Sequence, residues 1–251
     1  MTGRIRWFVL VAVILAATCI RLGIWQLDRL QQRKARNAIA AARMAEPPVD
    51  AAEIPRDTAE ARFRRVRVVG SPDYAHELVQ TGLGRRGSPG VNLLTPVKIA
   101  GTDTAILINR GWVYSPDASS VDPTIWHDRD TSFVGYAIPL SSLPGVASAN
   151  RPGVISKLGY DVVAKAVPYP VFHSYVVVTE SGDGDTTSAV DRIARLPAPA
   201  LDNGAHFSYA MQWFSFAAVA LVGAVIVVRQ SRGAASRRHE VASRDGAGGS
   251  R

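Results

Sequence analysis

Apolar residues are gathered at the two ends of the chain, and the stretch between alternates in short runs. Trp7 to Ile20 carries no charge, and extending it to Leu27 gives 21 residues with one charge, Arg21. Tyr209 to Val228 is 20 residues with no charge, opened by Tyr209 and Trp213 and closed by Arg229 and Arg232. A helix of about 20 apolar residues crosses a hydrocarbon core of roughly 30 Å, and aromatic and basic residues favour its margins. Both segments therefore read as transmembrane helices. A cleaved signal peptide is the rival reading for the first, with Arg4 and Arg6 before an apolar core and Ala16-Ala17-Thr18 as small residues. Continuation of the pattern through Leu22-Gly23-Ile24-Trp25 favours a retained anchor.

From Gln26 to Arg43 the chain holds no Pro or Gly and is rich in good helix formers, so the first helix is expected to run on until Pro47-Pro48. Beyond it the period shortens. Phe63–Val69, Glu77–Thr81, Leu93–Ile99, Thr104–Tyr114, Thr131–Ile138 and Phe172–Thr179 read as strands. Leu158–Val167 reads as a helix ended by Pro168, and Leu83–Gly90, Ser115–Pro123 and Ser181–Ser188 as loops rich in Gly, Pro, Ser and Asp. The expected architecture is a membrane protein with two terminal transmembrane helices (7–27 and 207–228). They flank a mainly-β, α+β domain (28–206) built on an antiparallel, barrel-like sheet. A short N-terminus (1–6) and a basic, disordered tail (229–251) complete it.

Charge sets the orientation. The net charge is +8, but acidic and basic residues nearly balance between Asp28 and His206, and the excess lies beside the membrane segments. That distribution argues against a nucleic-acid partner, which would need a basic patch on the folded domain. The positive-inside rule places both ends in the cytoplasm and the central domain outside the cytoplasmic membrane, although Arg29, Arg33, Lys34 and Arg36 oppose it locally. With no long Arg- and Ser-rich stretch ahead of the first helix, a mitochondrial setting is not expected. The single cysteine, Cys19, lies in the first apolar run, so the domain holds neither a disulfide nor a cysteine metal site.

Enzyme templates are absent: no H-E-x-x-H, C-x-x-C, G-x-S-x-G or P-loop occurs. Asp183-Gly184-Asp185 lacks the other positions of a calcium loop and reads as a turn. The polar groups at the helix margins say more. Arg21, Trp25, Asp28, Arg29 and Gln32 share one face of the first helix, and His206, Tyr209, Ala210 and Trp213 one face of the second. An interfacial girdle accounts for them; so does a ligand held at that depth. Gln212, inside the apolar span, is expected to contact another helix.

Leu22-Gly23-Ile24-Trp25-Gln26-Leu27-Asp28-Arg29-Leu30 resembles the L-G-x-W-Q-L-x-R-L signature of the surfeit locus protein 1 family. Gly90 with Leu94-Thr95-Pro96-Val97, Leu107-Ile108-Asn109-Arg110-Gly111-Trp112-Val113, Pro168-Tyr169-Pro170-Val171 and His206-Phe207-Ser208-Tyr209-Ala210-Met211-Gln212-Trp213-Phe214 resemble further family segments, in order. Gly204 and Ala205 separate Asn203 from His206, which the family often has adjacent.

The resemblance implies a non-enzymatic assembly or association factor for haem–copper cytochrome c oxidase. Such a factor would assist haem a insertion or stay bound to the oxidase subunits or a respiratory supercomplex. It carries haem a handling onto His206, with Tyr209 or Trp213 as aromatic packing. Arg21 and Arg29 would serve the propionates if the two helices pack together. Trp25, Gln26 and Gln212 become candidate contacts for partner helices. The alternative is an anchored small-molecule-binding or enzymatic domain, in which Asn109-Arg110-Gly111-Trp112 would be site residues rather than strand and turn.

Overall fold

The computed structural model describes residues 3–127, 129–179 and 193–247, with side chains as far as 233. Its elements are α1 (Gly3–Ala45), β1 (Val49–Asp50), α2 (Thr58–Ala61), β2 (Arg65–Pro72), β3 (Leu78–Arg85), β4 (Ser88–Ile99), β5 (Ala105–Tyr114), β6 (Ser132–Pro139), β7 (Val146–Ala147), β8 (Val154–Lys157), α3 (Tyr160–Ala166), β9 (Val171–Val178) and α4 (His206–Ala247). The chain divides into two compact units, one from its two ends (Met1–Asn37 and Asp202–Arg251), the other from Ala38–Leu201. The loop expected at Ser181–Ser188, with its Asp183 and Asp185, lies outside the described residues.

The anchor and its extension form one helix, α1, which stops just ahead of Pro47-Pro48. Both α1 and α4 contain stretches long and apolar enough to cross a membrane. The tail expected to be disordered from 229 on is instead helical as far as Ala247. Ala234, Ala235, Arg237, Arg238 and Glu240 are good helix formers, and extending an existing helix avoids the cost of nucleation.

In the central unit, β2, β6, β9, β5 and β4 pair in a ring that closes through β2 and β4, from Gly70↔Ile99 to Pro72↔Val97. A Cβ on Gly70 would stand 2.0 Å from the Lys98 carbonyl oxygen, so glycine is needed at this closing pair. Each ring strand sends two buried residues into one core: Val66 and Val68, Val97 and Ile99, Ile106 and Ile108, Phe133 and Ala137, Val176 and Val178, joined by Ala51, Ile54 and Ala61. Each buried Val or Ile contributes about 1.5–3 kcal/mol. A second core, including Leu94, Leu107 and Val171, packs with Val163 of α3.

The sheet is mostly but not wholly antiparallel. Five strands cannot alternate direction around a closed ring, so at least one neighbouring pair must be parallel; here it is β5 with β9. Outside the ring, β1–β2 and β3–β8 are parallel as well. The loop expected over Leu83–Gly90 is a β3–β4 hairpin turning at Arg86-Gly87, with Arg85 opposite Ser88. Both turn residues have positive φ, 50° and 83°, as the favoured two-residue hairpin turn requires. Its glycines disguised strand as loop.

Candidate functional site

Within the terminal unit, α1 and α4 meet along small residues. Ala12, Ala16, Cys19, Gly23 and Leu30 are buried on α1, and Ala210, Ala217 and Ala224 on α4. The α1 spacing of four, three, four and seven is a heptad stripe, and the α4 alanines stand one heptad apart. Ala16, Cys19 and Ala217 form one cluster with Trp213 and Ala220 against it. A Cβ on Gly23 would lie 2.5 Å from the Phe214 ring. Small residues of this kind let helix backbones approach closely in an apolar medium. The helices run antiparallel: towards the C-terminal end of α1, contacts move to lower numbers on α4.

At that end the seam becomes polar. His206 Nδ1 is 2.9 Å from Gln26 Oε1. Arg33 Nε donates to the Asp202 carbonyl at 2.9 Å, and Asn37 Nδ2 donates to the same carbonyl at 3.0 Å and to Asn203 Oδ1 at 3.2 Å. The Gly204 N–H donates to Asp202 Oδ1 at 2.6 Å. The segment leading into α4 is thus tied to α1 next to His206.

The predicted site residues divide. His206, Gln26 and Trp213 lie together along the seam, and Trp213 sets its ring edge-on to Phe216 at 5.9 Å. Arg21, Trp25 and Arg29 are exposed on α1. At about 100° per residue they project opposite the Ala16–Gly23 stripe. Arg29 instead donates to Gln32 Oε1 at 3.2 Å and lies over the Trp25 ring at 5.6 Å. The helices do pack, yet neither arginine is brought to His206. Tyr209 and Gln212 are exposed on α4, Tyr209 flanking the seam and Gln212 facing away from it.

The central unit holds a second polar cluster around Arg110, which the sequence reading named only within the Asn109-Arg110-Gly111-Trp112 motif of its alternative; Tyr74, Glu77 and His127 were missed. Leu93 pairs with Gly111 and Leu94 with Asn109, leaving Arg110 as the extra residue of a β-bulge. Gly111 has φ of 135°, and its N–H donates to Asn109 Oδ1 at 3.0 Å. A bulge re-aims the extra side chain. The Arg110 side chain is fully buried, with Nη1 3.3 Å from Glu77 Oε1, Nη2 donating to the Trp126 carbonyl, and the guanidinium 5.2 Å from the Tyr74 ring. His127 stacks on Tyr74 at 3.9 Å and reaches Glu77 Oε2 at 3.1 Å. The Asn-Arg-Gly triplet was the available signal, since Gly at a strand interior marks bulges. Beside this cluster, Asp73 Oδ2 accepts from Tyr169 at 2.8 Å, with His76 Nδ1 at 3.0 Å and Lys98 Nζ at 3.5 Å.

The family model described as SURF1 family matches residues 13–218, from within α1 to the fourth turn of α4. The chain belongs to the SURF1 family. A SURF1-like protein of Rickettsia felis is 26% identical over 229 residues, spanning 88% of this chain and 96% of its own. Another, of Rickettsia bellii, is 26% identical over 234 residues, 90% and 91% of the two chains. Surfeit locus protein 1 of Takifugu rubripes is 30% identical over 128 residues, 43% of this chain and 50% of its own. The SURF1 match takes in both polar clusters, Gln26 with His206 and Glu77 with Arg110. The later part of α4, with its arginines, falls outside it.

Proposed function

We propose that this SURF1 protein is a membrane-anchored, non-catalytic factor for assembly of a haem–copper cytochrome c oxidase. In this reading it takes haem a as transient cargo on His206. It meets oxidase subunits, or the supercomplex that contains them, through the exposed faces of its helices. The observation that carries the reading is the Gln26–His206 contact at the polar end of an otherwise apolar seam. Proteins orient a metal-binding histidine by giving its other ring nitrogen a hydrogen-bond acceptor, and the Gln26 amide oxygen is an acceptor in that position.

The residues present fit part of such a cargo. Haem brings four nitrogens to its own iron, so a single imidazole suffices as a protein ligand. Among the described residues no group of three or more His, Cys, Asp or Glu could hold a bare ion. Trp213 offers an aromatic surface on the same seam, two turns along α4 from the histidine. Arg21 and Arg29 do not converge on His206, so they suit lipid phosphates or a partner's carboxylates better than propionates of the same cargo. Trp25 and Gln212, outward-facing on α1 and α4, are the groups proposed to meet partner helices. The balance of flanking charge puts both termini in the cytoplasm and the central domain outside.

The alternative, a small-molecule site in the central domain, has less support. A cleft of about 290 Å³ is lined by Ile54, Arg56, Thr104, Phe172 and His173 among others. That is at the bottom of the usual range for ligand pockets, about 300–1,000 Å³. The test is purification of the full chain in mild detergent from cells that make haem a. Haem absorbance that co-purifies and disappears in His206→Ala supports the proposal. Absence of haem at every stage, with unaltered oxidase haem content in a deletion strain, overturns it.

A further inference from the structure

We infer that Gln26 is the positioning residue for His206, fixing the imidazole tautomer that leaves Nε2 as an electron-pair donor, and that Gly204 keeps that edge of the ring uncovered. The inference rests on the reading of His206 as the haem ligand, and it says which atom binds and what makes it able to bind.

The chemistry lies in the two ends of an amide. Gln26 places Oε1, which only accepts, 2.9 Å from His206 Nδ1. In the inferred arrangement Nδ1 donates to this oxygen, and in a neutral imidazole the lone pair then falls to Nε2. With the amide reversed, its NH2 would donate to Nδ1, Nε2 would carry the hydrogen, and the ring could not ligate iron through its outer nitrogen. Binding competence is therefore set from the other helix, 180 residues away in sequence.

Two features keep this contact from drifting, and a third bears on the ring's outer edge. Gln26 follows Gly23 by one helical turn on the face buried against α4, where the glycine gives the Phe214 ring room. Arg33 and Asn37 grip Asp202 and Asn203, so the start of α4 is fixed along α1. Gly204, with φ of 69°, sits at the ring's outer edge, where a Cβ would stand 3.4 Å from Cδ2 and 3.6 Å from Nε2 of His206. A side chain there would add contact at the ring edge that carries Nε2, besides meeting the unfavourable φ.

The test uses the full chain in lipid nanodiscs, labelled with 15N at histidine, at a pH where the imidazole is neutral. The His206 resonances are assigned by their loss in His206→Ala. The expected result is a protonated Nδ1 and unprotonated Nε2 in the wild type, a mixed or reversed tautomer in Gln26→Leu, and recovery in Gln26→Glu. Titration with haem a should show Gln26→Leu binding about 10–100-fold more weakly, the usual effect of losing a second-shell partner, with Gln26→Glu near wild type. Protection of Cys19 from alkylation shows in each variant that the helix pair is intact. An Nε2–H tautomer in the wild type, or an unchanged tautomer in Gln26→Leu, overturns the inference. A wild type with the expected tautomer that binds no haem a leaves the positioning intact and removes the cargo reading.

Discussion

Arg110 and Glu77 form an ion pair at 3.3 Å, with the arginine side chain wholly sealed from solvent and the glutamate nearly so. Thr95 Oγ1 donates to the same carboxylate, and His127 approaches its other oxygen. Breaking a buried pair from one side leaves a charge without compensation and costs about 3–5 kcal/mol. Arg110→Met is therefore expected to lower the thermal unfolding temperature of the full chain sharply. The double variant Arg110→Met with Glu77→Leu should lose less than the sum of the single changes. Additive losses in that cycle would show that the two charges do not support each other.

The bulge that delivers Arg110 depends on Gly111. A Cβ there would meet the Ala194 carbonyl oxygen at 2.5 Å, in the bridge where Trp112 and Ala194 exchange two hydrogen bonds at 2.8 Å. Gly111→Ala has both a steric clash and an unfavourable φ to overcome. It should destabilise by more than the roughly 1 kcal/mol typical of a point substitution. Hydrogen exchange should rise at the Trp112 and Ala194 amides before the rest of the sheet. Unchanged protection at those amides would contradict this account.

Cys19 reports on the helix pair. It is the sole cysteine of the chain and lies buried between Ala16 and Ala217. In nanodiscs the wild type is expected to resist a membrane-permeant maleimide. Gly23→Leu forces a side chain into the Phe214 ring, and overpacking of this kind costs about 1–3 kcal/mol. Labelling of Cys19 should then accelerate by roughly 5–150-fold, at a tenfold change per 1.36 kcal/mol. Equal labelling rates in the two proteins would rule out the small-residue seam.

Much of the fold was legible because its signals are local. Length and apolarity marked both helices, and the strand runs marked the six longest strands within a few residues. The two-residue β1 and β7 and the four-residue β8 escaped, being too short to show a period and held by their neighbours. The β3–β4 hairpin escaped because its glycines mimic a loop. His206 and Gln26 were each singled out, but their contact depends on how two helices 180 residues apart pack. The small residues that set that packing look like ordinary apolar filling in sequence. Arg110 was named only within the Asn109–Trp112 motif, and its burial was not legible: arginine is rarely buried without a partner, and its partner Glu77 is 33 residues upstream, outside any motif.

Asp73 and Tyr169 give the central domain a dependence on acid whose sign follows from their contacts. Burial pushes the Asp73 carboxyl up. Hydrogen bonds from Tyr169 and His76, with the charges of His76 and Lys98, outweigh it and hold the group below its ordinary 3.8. The unfolded chain therefore takes up this proton at a higher pH than the folded one. The stabilisation is fully present above about 3.8 and is lost as pH falls through the lower folded value. Asp73→Asn should cost about 1.5–3 kcal/mol at neutral pH, the range for hydrogen bonds to a charged group, and much less in strong acid, so the two unfolding curves converge as pH drops. Tyr169→Phe removes one of the bonds that lower the carboxyl and should move the acid transition to higher pH. Tyr169 itself is pushed up, first by burial and then by its bond to Asp73 and that carboxylate's charge, so the phenol remains a donor across the neutral range. Acid titration of unfolding for wild type, Asp73→Asn and Tyr169→Phe checks the sign. A Tyr169→Phe transition shifted to lower pH would mean that the phenol does not stabilise the ionised carboxylate.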